Sequence, residues 1–386
     1  MKKNFTKVLP IASLVFCSLN VFAAGGFTPL AYDTKSLSMG GVGIATSFGA
    51  QSALENPALM AFEDENELSL GVNYIEQPRS IGIGSNFTWW IGDNRISGLY
   101  DFNFNGDNKY KLSFSSNYKV VDNLHIGLAL SNSELNARFT DPLELSYLYD
   151  LTLKRRRVIL PVAYKIEDFA CSISLIQEKQ SWYGTIDDGG YNYSSIDYGY
   201  GLGLAYKLRN IGLTFGLNYK SAIHHTLTNN TGVGELNSAA EMGAGVEWMF
   251  LENNSIAVDY KRVYSSKIYK DYTDSFFVED RYKDQNVFSI GYAYKNEKWS
   301  GRVGYSHISD IFTQSGIWMV GLTPYALKEY YTAGGSYNIN KSFSLDMAFM
   351  YAKGNQTLVF PIGDAGFVYD INSKRKELSL SVNYSF

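Results

Sequence analysis

The stretch Lys376-Glu-Leu-Ser-Leu-Ser-Val-Asn-Tyr-Ser-Phe386 alternates without a fault. Leu378, Leu380, Val382, Tyr384 and Phe386 share one parity, and Glu377, Ser379, Ser381, Asn383 and Ser385 share the other. Successive side chains of a β-strand point to opposite faces, so this strand is apolar on one side and polar on the other. An apolar face that closes on an aromatic residue needs an apolar medium to lie against. In an outer-membrane barrel that medium is lipid.

The alternation recurs upstream. Tyr200, Leu202, Leu204, Tyr206 and Leu208 oppose Gly199, Gly201, Gly203, Ala205 and Lys207. Phe343, Leu345, Met347, Phe349 and Tyr351 oppose Ser342, Ser344, Asp346, Ala348 and Met350. A soluble sandwich or solenoid also alternates, but here the second set is small and polar, as in a lumen lining rather than a second core. The chain carries 30 Tyr, 23 Phe and 6 Trp yet has near-neutral mean hydropathy, a combination that alternating strands with aromatic girdles produce.

Composition narrows the function classes. No run after residue 23 reaches the roughly eighteen apolar residues a spanning helix needs, which excludes a helical membrane protein. Residues 1–23 read as a signal peptide: Lys2, Lys3 and Lys7, then an apolar Val8 to Leu19, then Val21-Phe22-Ala23 at the cleavage site. Phe16 before Cys17 is not the small residue a lipoprotein site needs. Loss of this segment removes three lysines and takes the formal charge from −4 to −7. A mildly acidic chain is a poor partner for nucleic acid. Cys171 remains alone, so no intrachain disulfide forms.

Turn signals set the strand count. Short turns fall near Val121-Asp122, Glu167-Asp168, Arg209-Asn210, Glu252-Asn253, Asn296-Glu297 and Ile339-Asn340. Between them lie long connections at 78–109, 133–153, 181–195, 221–238, 264–284, 308–327 and 353–375. Strict alternation of short and long connections predicts an all-β, transmembrane, antiparallel up-and-down barrel of fourteen strands, with both ends periplasmic. Strand-like pieces in 80–104 leave sixteen strands as the alternative. Such a lumen is too wide for side chains to fill. The expected division is a signal peptide at 1–23, an N-terminal hatch at 24–66 plugging the lumen, and the barrel at 67–386.

Residues 56–83, beginning Asn-Pro-Ala-Leu-Met-Ala-Phe, resemble the end of the hatch and first strand of the FadL/TodX-type transporters. Ser38-Met-Gly-Gly-Val-Gly-Ile-Ala45 is similar to that family's glycine-rich hatch helix. Leu160-Pro-Val-Ala-Tyr-Lys-Ile166, Lys298-Trp-Ser-Gly-Arg-Val-Gly-Tyr305 and Tyr331-Thr-Ala-Gly-Gly-Ser-Tyr337 through Asp346 resemble further strands, in order. Thr323-Pro-Tyr-Ala-Leu-Lys-Glu329 departs from the family's acid-and-arginine run, and the loops are short for the family. The resemblance implies an outer-membrane channel for passive uptake of long-chain fatty acids or other hydrophobic compounds. It implies capture outside, passage into the plugged barrel and lateral release beside a kinked strand that the sequence does not locate.

Candidate residues follow from that expectation. Arg155 and Arg157 share the inward parity and would attract a carboxylate at the mouth, whereas Arg156 faces outward. Lipopolysaccharide phosphates or a solvated rim would equally explain the Lys154–Arg157 cluster. Arg302 faces the lumen as a ligand contact, or as a structural ion pair with Glu55. Phe312 and Trp318 belong to an apolar loop run that would capture substrate or pack as a lid. Gly40, Gly41, Gly43, Asn56, Pro57 and Ala58 are the expected hatch and gating residues, Pro57 restricting Asn56 to extended geometry.

Four scattered histidines offer no nucleophile dyad and no metal site, so neither an enzyme nor a cofactor is expected. The expected partners are a hydrophobic small molecule, outer-membrane lipid and lipopolysaccharide, and assembly machinery reading the Phe386 end of a monomer. An adhesin or structural barrel acting through its loops, or a polar-solute porin, remains the rival reading.

Overall fold

Fourteen antiparallel strands form a closed ring in the computed structural model. It describes residues 29–76, 78–84, 89–91, 94–96, 99–105, 109–139, 149–186, 189–229, 232–271, 282–311, 327–362 and 365–386. The signal-peptide segment 1–23, residues 24–28, Phe312 and Trp318 lie outside the described residues.

The ring runs β1 (Glu67–Glu76), β2 (Lys109–Val121), β3 (Leu124–Phe139), β4 (Tyr149–Ile166), β5 (Phe169–Ile186), β6 (Gly189–Leu208) and β7 (Leu213–Lys220). It continues through β8 (Glu241–Phe250), β9 (Asn254–Val263), β10 (Gln285–Lys295), β11 (Trp299–Ile308), β12 (Glu329–Asn338), β13 (Phe343–Ile362) and β14 (Ala365–Ser385). Each strand pairs with the next, and β1 closes on β14 from Glu67↔Ser385 to Glu76↔Lys376. A closed ring leaves no unpaired edge, the condition for backbone to cross lipid in extended form.

The ring has fourteen strands, not sixteen. Residues 78–84 and 99–105 pair with each other, and 79–82 pair with β14 at 370–373, beyond the end of β1. They lengthen the first hairpin without adding to the ring. All six short turns fall where expected. The long connections are a correction: much of 133–153, 181–195 and 353–375 is strand. The β13–β14 ladder, for example, continues to Ile362↔Ala365. Beyond the lipid belt a ladder needs only backbone hydrogen bonds, so the outer face loses its apolar requirement and the alternation fades.

Inside and outside follow parity. Leu378, Leu380, Val382, Tyr384 and Phe386 are exposed on the outer wall, whereas Glu377, Ser379, Ser381 and Asn383 are buried. Outward aromatics sit near both ends of the strands, with Trp248, Trp299, Phe343 and Phe386 at the turn end and Tyr110, Tyr198, Tyr260 and Tyr331 toward the loop end. Amphipathic rings prefer the headgroup level, so two such girdles bracket a lipid belt.

Residues 29–62 pack inside the ring. Asp33 caps a short helix, α1 (Thr34–Ser38), by accepting from the Ser36 amide at 2.7 Å. Two 3₁₀ turns follow, Gly49–Leu54 and Pro57–Phe62. The segment touches the wall all round: Thr34 to Ser379, the Gly40 amide to Thr332 and Asn117 to the Met60 carbonyl. The Gln51 side-chain amide lies within hydrogen-bond reach of Ser69 on β1, Asp346 on β13, and Ser381 and Asn383 on β14. Wall glycines let two backbones meet. A Cβ at Gly216 or Gly304 would collide with the backbone of Ile44 or Gly40.

Candidate functional site

The inner segment is anchored by hydrogen bonds that the wall supplies. Asp259 on β9 accepts from the amides of Gly43 (2.7 Å) and Ile44 (2.9 Å) with one carboxylate oxygen. Gly40 and Gly41 take φ of +74° and +83°, a region that favours glycine, and Ser306 donates to the Gly40 carbonyl. Asn56 caps the second 3₁₀ turn through the Ala58 amide, with Pro57 at its first position. Its Nδ2 donates to the Ile44 carbonyl at 2.7 Å and to Leu204 on β6 at 3.1 Å. The Asn-Pro-Ala turn therefore ties the segment to itself and to the wall.

Toward the loop end the lumen has two unlike sides. From β4 to β9 it is charged. Arg157 Nε donates to Glu178, and Arg155 contacts Gln180 at 2.8 Å, the Asn237 carbonyl at 3.1 Å and Glu178 at 3.6 Å. His225 sits fully buried between Glu178 (2.9 Å) and Asp197 (2.8 Å). Glu55 of the inner segment meets Lys220 at 2.9 Å and Lys261 at 2.5 Å. Tyr32 lies among these groups: Arg157 donates to its oxygen at 2.9 Å, its hydroxyl donates to Glu241 at 3.4 Å, and Lys220 stands 4.7 Å from its ring centre.

From β10 to β13 the same level is apolar. Ile308, Leu327, Tyr330, Ala348, Met350 and Ala352 point inward and pack on Leu30, Ala31 and Leu37, with Val287 at the margin. Burying one such side chain stabilises by about 1.5–3 kcal/mol, so this contact seats the inner segment without using a polar group.

Two carboxyls of the inner segment shift in opposite directions. Desolvation pushes Asp33 up to about 7. Glu55 is also desolvated, but Lys220 and Lys261 overcome that and hold it below the usual carboxylate range.

The sequence-derived candidates divide. Arg155 and Arg157 face inward and Arg156 outward, as parity requires, but the two inward guanidiniums are already engaged by Glu178 rather than standing free at a mouth. Arg302 does not meet Glu55. Its Nη1 donates to Ser336 at 2.8 Å, and Ser336 donates to Asp346. Glu55 is taken by Lys220 on β7 and Lys261 on β9. Arg302 instead lines two adjoining cavities at the turn end, of about 860 and 990 Å³, that also share Lys35, Glu67 and Ser300. Tyr32, Glu178, His225 and the apolar side were missed. A signal existed for Glu178: counting outward from the Glu167-Asp168 turn places Arg157 opposite Glu178, and the structure has that pair.

The β3–β4 ladder is interrupted beside the segment. The β3–β4 register runs through Ile126↔Val162 and resumes at Ala129↔Ile159, skipping Gly127, Leu128, Leu160 and Pro161. Proline has no amide hydrogen to give to the ladder. On the other side of β3, the Ser116 hydroxyl takes the Leu128 amide at 2.9 Å. Behind Gly127 stands the Met60 methyl, close enough to meet a Cβ there.

The model of the Gram-negative porin family matches residues 152–357. No curated protein matches the chain by sequence. Among solved structures, a FadL homologue of Pseudomonas aeruginosa superposes with a TM-score of 0.74 at 15% identity, over 94% of this chain and 99% of that one. The Pseudomonas putida toluene transporter TodX gives 0.70 at 17% identity, over 92% and 99%. The Ralstonia pickettii toluene transporter TbuX gives 0.63 at 17%, over 92% and 98%. The chain belongs to the Gram-negative porin family, as an outer-membrane β-barrel with the fold of the FadL/TodX-type channels.

Proposed function

We propose that the protein takes up hydrophobic small molecules, long-chain fatty acids or alkyl and aromatic compounds, across the outer membrane. The observation that carries this is the apolar side of the lumen, Ile308, Leu327, Tyr330 and Met350, facing the charged cluster of Arg155, Arg157 and Glu178 across the loop end. A polar solute has no use for such a surface, whereas an apolar chain displacing Leu30 and Ala31 from it loses no burial. The charged side opposite would orient a polar head. Lateral release fits the interrupted β3–β4 ladder, where Met60 is the obstruction, so that movement of the Asn56-Pro57-Ala58 turn uncovers the gap.

Uptake of a labelled long-chain fatty acid, an alkylbenzene and a small sugar, in cells with and without the protein, tests the reading. Arg155→Ala/Arg157→Ala and Arg302→Ala variants run alongside. Apolar uptake that depends on the protein supports it; apolar uptake equal in both cells sinks it. The charged groups at the turn-end cavities, Lys35, Glu67 and Arg302, favour the porin as second reading, and sugar uptake alone would select that one.

A further inference from the structure

The outer wall carries a charge pattern that transport does not use. Arg156 on β4 stands directly opposite Lys179 on β5, and both side chains are exposed and outward. Like charges facing each other across a ladder destabilise it. Other outward basic residues on this rim meet acids: Lys376 meets Glu76 at 3.5 Å, Arg262 meets Asp284 at 3.0 Å and His307 meets Glu329 at 2.7 Å. Among the described residues, Arg156 and Lys179 have no ion-pair or hydrogen-bond partner.

Their height names the missing partner. On β4, Leu160, Val162 and Tyr164 are the exposed lipid-facing residues, and Arg156 lies two outward positions above Leu160. On β5, Ile173 and Leu175 are exposed, and Lys179 lies two outward positions above Leu175. Two outward positions are about 13 Å, which lifts both charges from the apolar belt to the headgroup level of the outer leaflet. Opposed side chains start about 5 Å apart, so two such cations can close on one phosphate, the arginine with two parallel donors.

We propose that the Arg156–Lys179 pair binds the phosphate groups of the glycolipid headgroups in the outer leaflet. The bound phosphate turns a repulsive pair into an attractive triad. The pair stands on β4, one strand of the interrupted ladder, and on β5 beside it, and so holds lipid at the edge of that wall sector.

The test measures binding of phosphorylated and fully dephosphorylated lipid A to the detergent-solubilised barrel. The wild type is compared with Arg156→Gln/Lys179→Gln and with Lys341→Gln at the turn end. Heat-modifiable migration confirms that each variant is folded. The double variant is expected to bind phosphorylated lipid A about 30-fold more weakly, from about a tenfold or lesser loss per surface cation. Dephosphorylated lipid should bind both proteins equally. Without lipid the double variant should melt no lower than wild type, because a repulsion has been removed; a merely structural role predicts a lower melting point. Undiminished binding in the double variant, or an equal loss in Lys341→Gln, overturns the proposal. Inorganic phosphate competing as well as lipid A at equal phosphate would replace the lipid with a free-anion site and overturn it too.

Discussion

The two sides of the lumen hold the same inner segment by opposite means. The β4–β9 side uses Arg155, Arg157, Glu178, His225, Lys220, Lys261 and Glu241 around Tyr32 and Glu55. The β10–β13 side uses Tyr330, Met350 and Ile308 around Leu30 and Leu37. Charged contacts fix position sharply and fail abruptly when one partner is lost. Apolar contacts are non-directional and accept another apolar occupant in place of the first. On the proposed function one side acts as an anchor and the other as the surface a substrate shares.

The strongest way to break this contrast is Glu178→Ala. It strands two arginines and a histidine in a buried site, and a cost of about 3–5 kcal/mol is expected. Thermal unfolding in detergent should show a large drop, with the loss spread over uptake of every substrate. Met350→Ala tests the other side. A buried methionine truncated to alanine costs about 2–5 kcal/mol, toward the low end where the lumen can relax. Its distinctive outcome is a larger loss for long-chain than for short-chain substrates in the uptake assay. Equal losses would erase the division between anchor and shared surface.

Asn56→Ala removes a helix cap and the bond to Leu204, and about 1–2 kcal/mol of docking is expected to go. Hydrogen exchange across residues 56–62 should rise while the barrel strands keep their protection.

The smallest effect is in pH. Asp33 has a folded-state value raised to about 7, so its contribution is present at low pH and is lost as pH rises through about 7. Glu55, held low, contributes above its unfolded value near 4.5 and fails only at lower pH. Protease access to the inner segment should therefore increase from about pH 5 to pH 7 and level off above it, and Asp33→Asn should flatten that response.

Much of the wall was legible in the sequence because lipid imposes a strict rule on it. Leu378 to Phe386 had to alternate, and the turn at Glu167-Asp168 had to be tight. The lumen obeys no such rule. Arg155 and Arg157 were legible as inward by parity, but their pairing with Glu178 depends on register carried past the lipid belt, where Lys179, Gln180 and Ser181 no longer alternate by polarity. Arg302 was misassigned to Glu55 because parity gives a direction and not a position around the ring. Tyr32 and His225 lie on irregular backbone, where no period reports which way a side chain turns. Leu30 and Leu37 looked like ordinary hydrophobic residues of a short segment, and only the inward turn of Tyr330 and Met350 gives them a surface.

Gln51 bears on how the ring itself holds together. Its amide reaches the first strand through Ser69 and the last through Ser381 and Asn383, so one side chain rivets the seam at which the two ends of the wall meet. Tension that draws the inner segment out of the lumen is thereby transmitted to the β1–β14 joint. Mobility of the cargo path and integrity of the cylinder are mechanically linked at this residue, and a force that opens one strains the other.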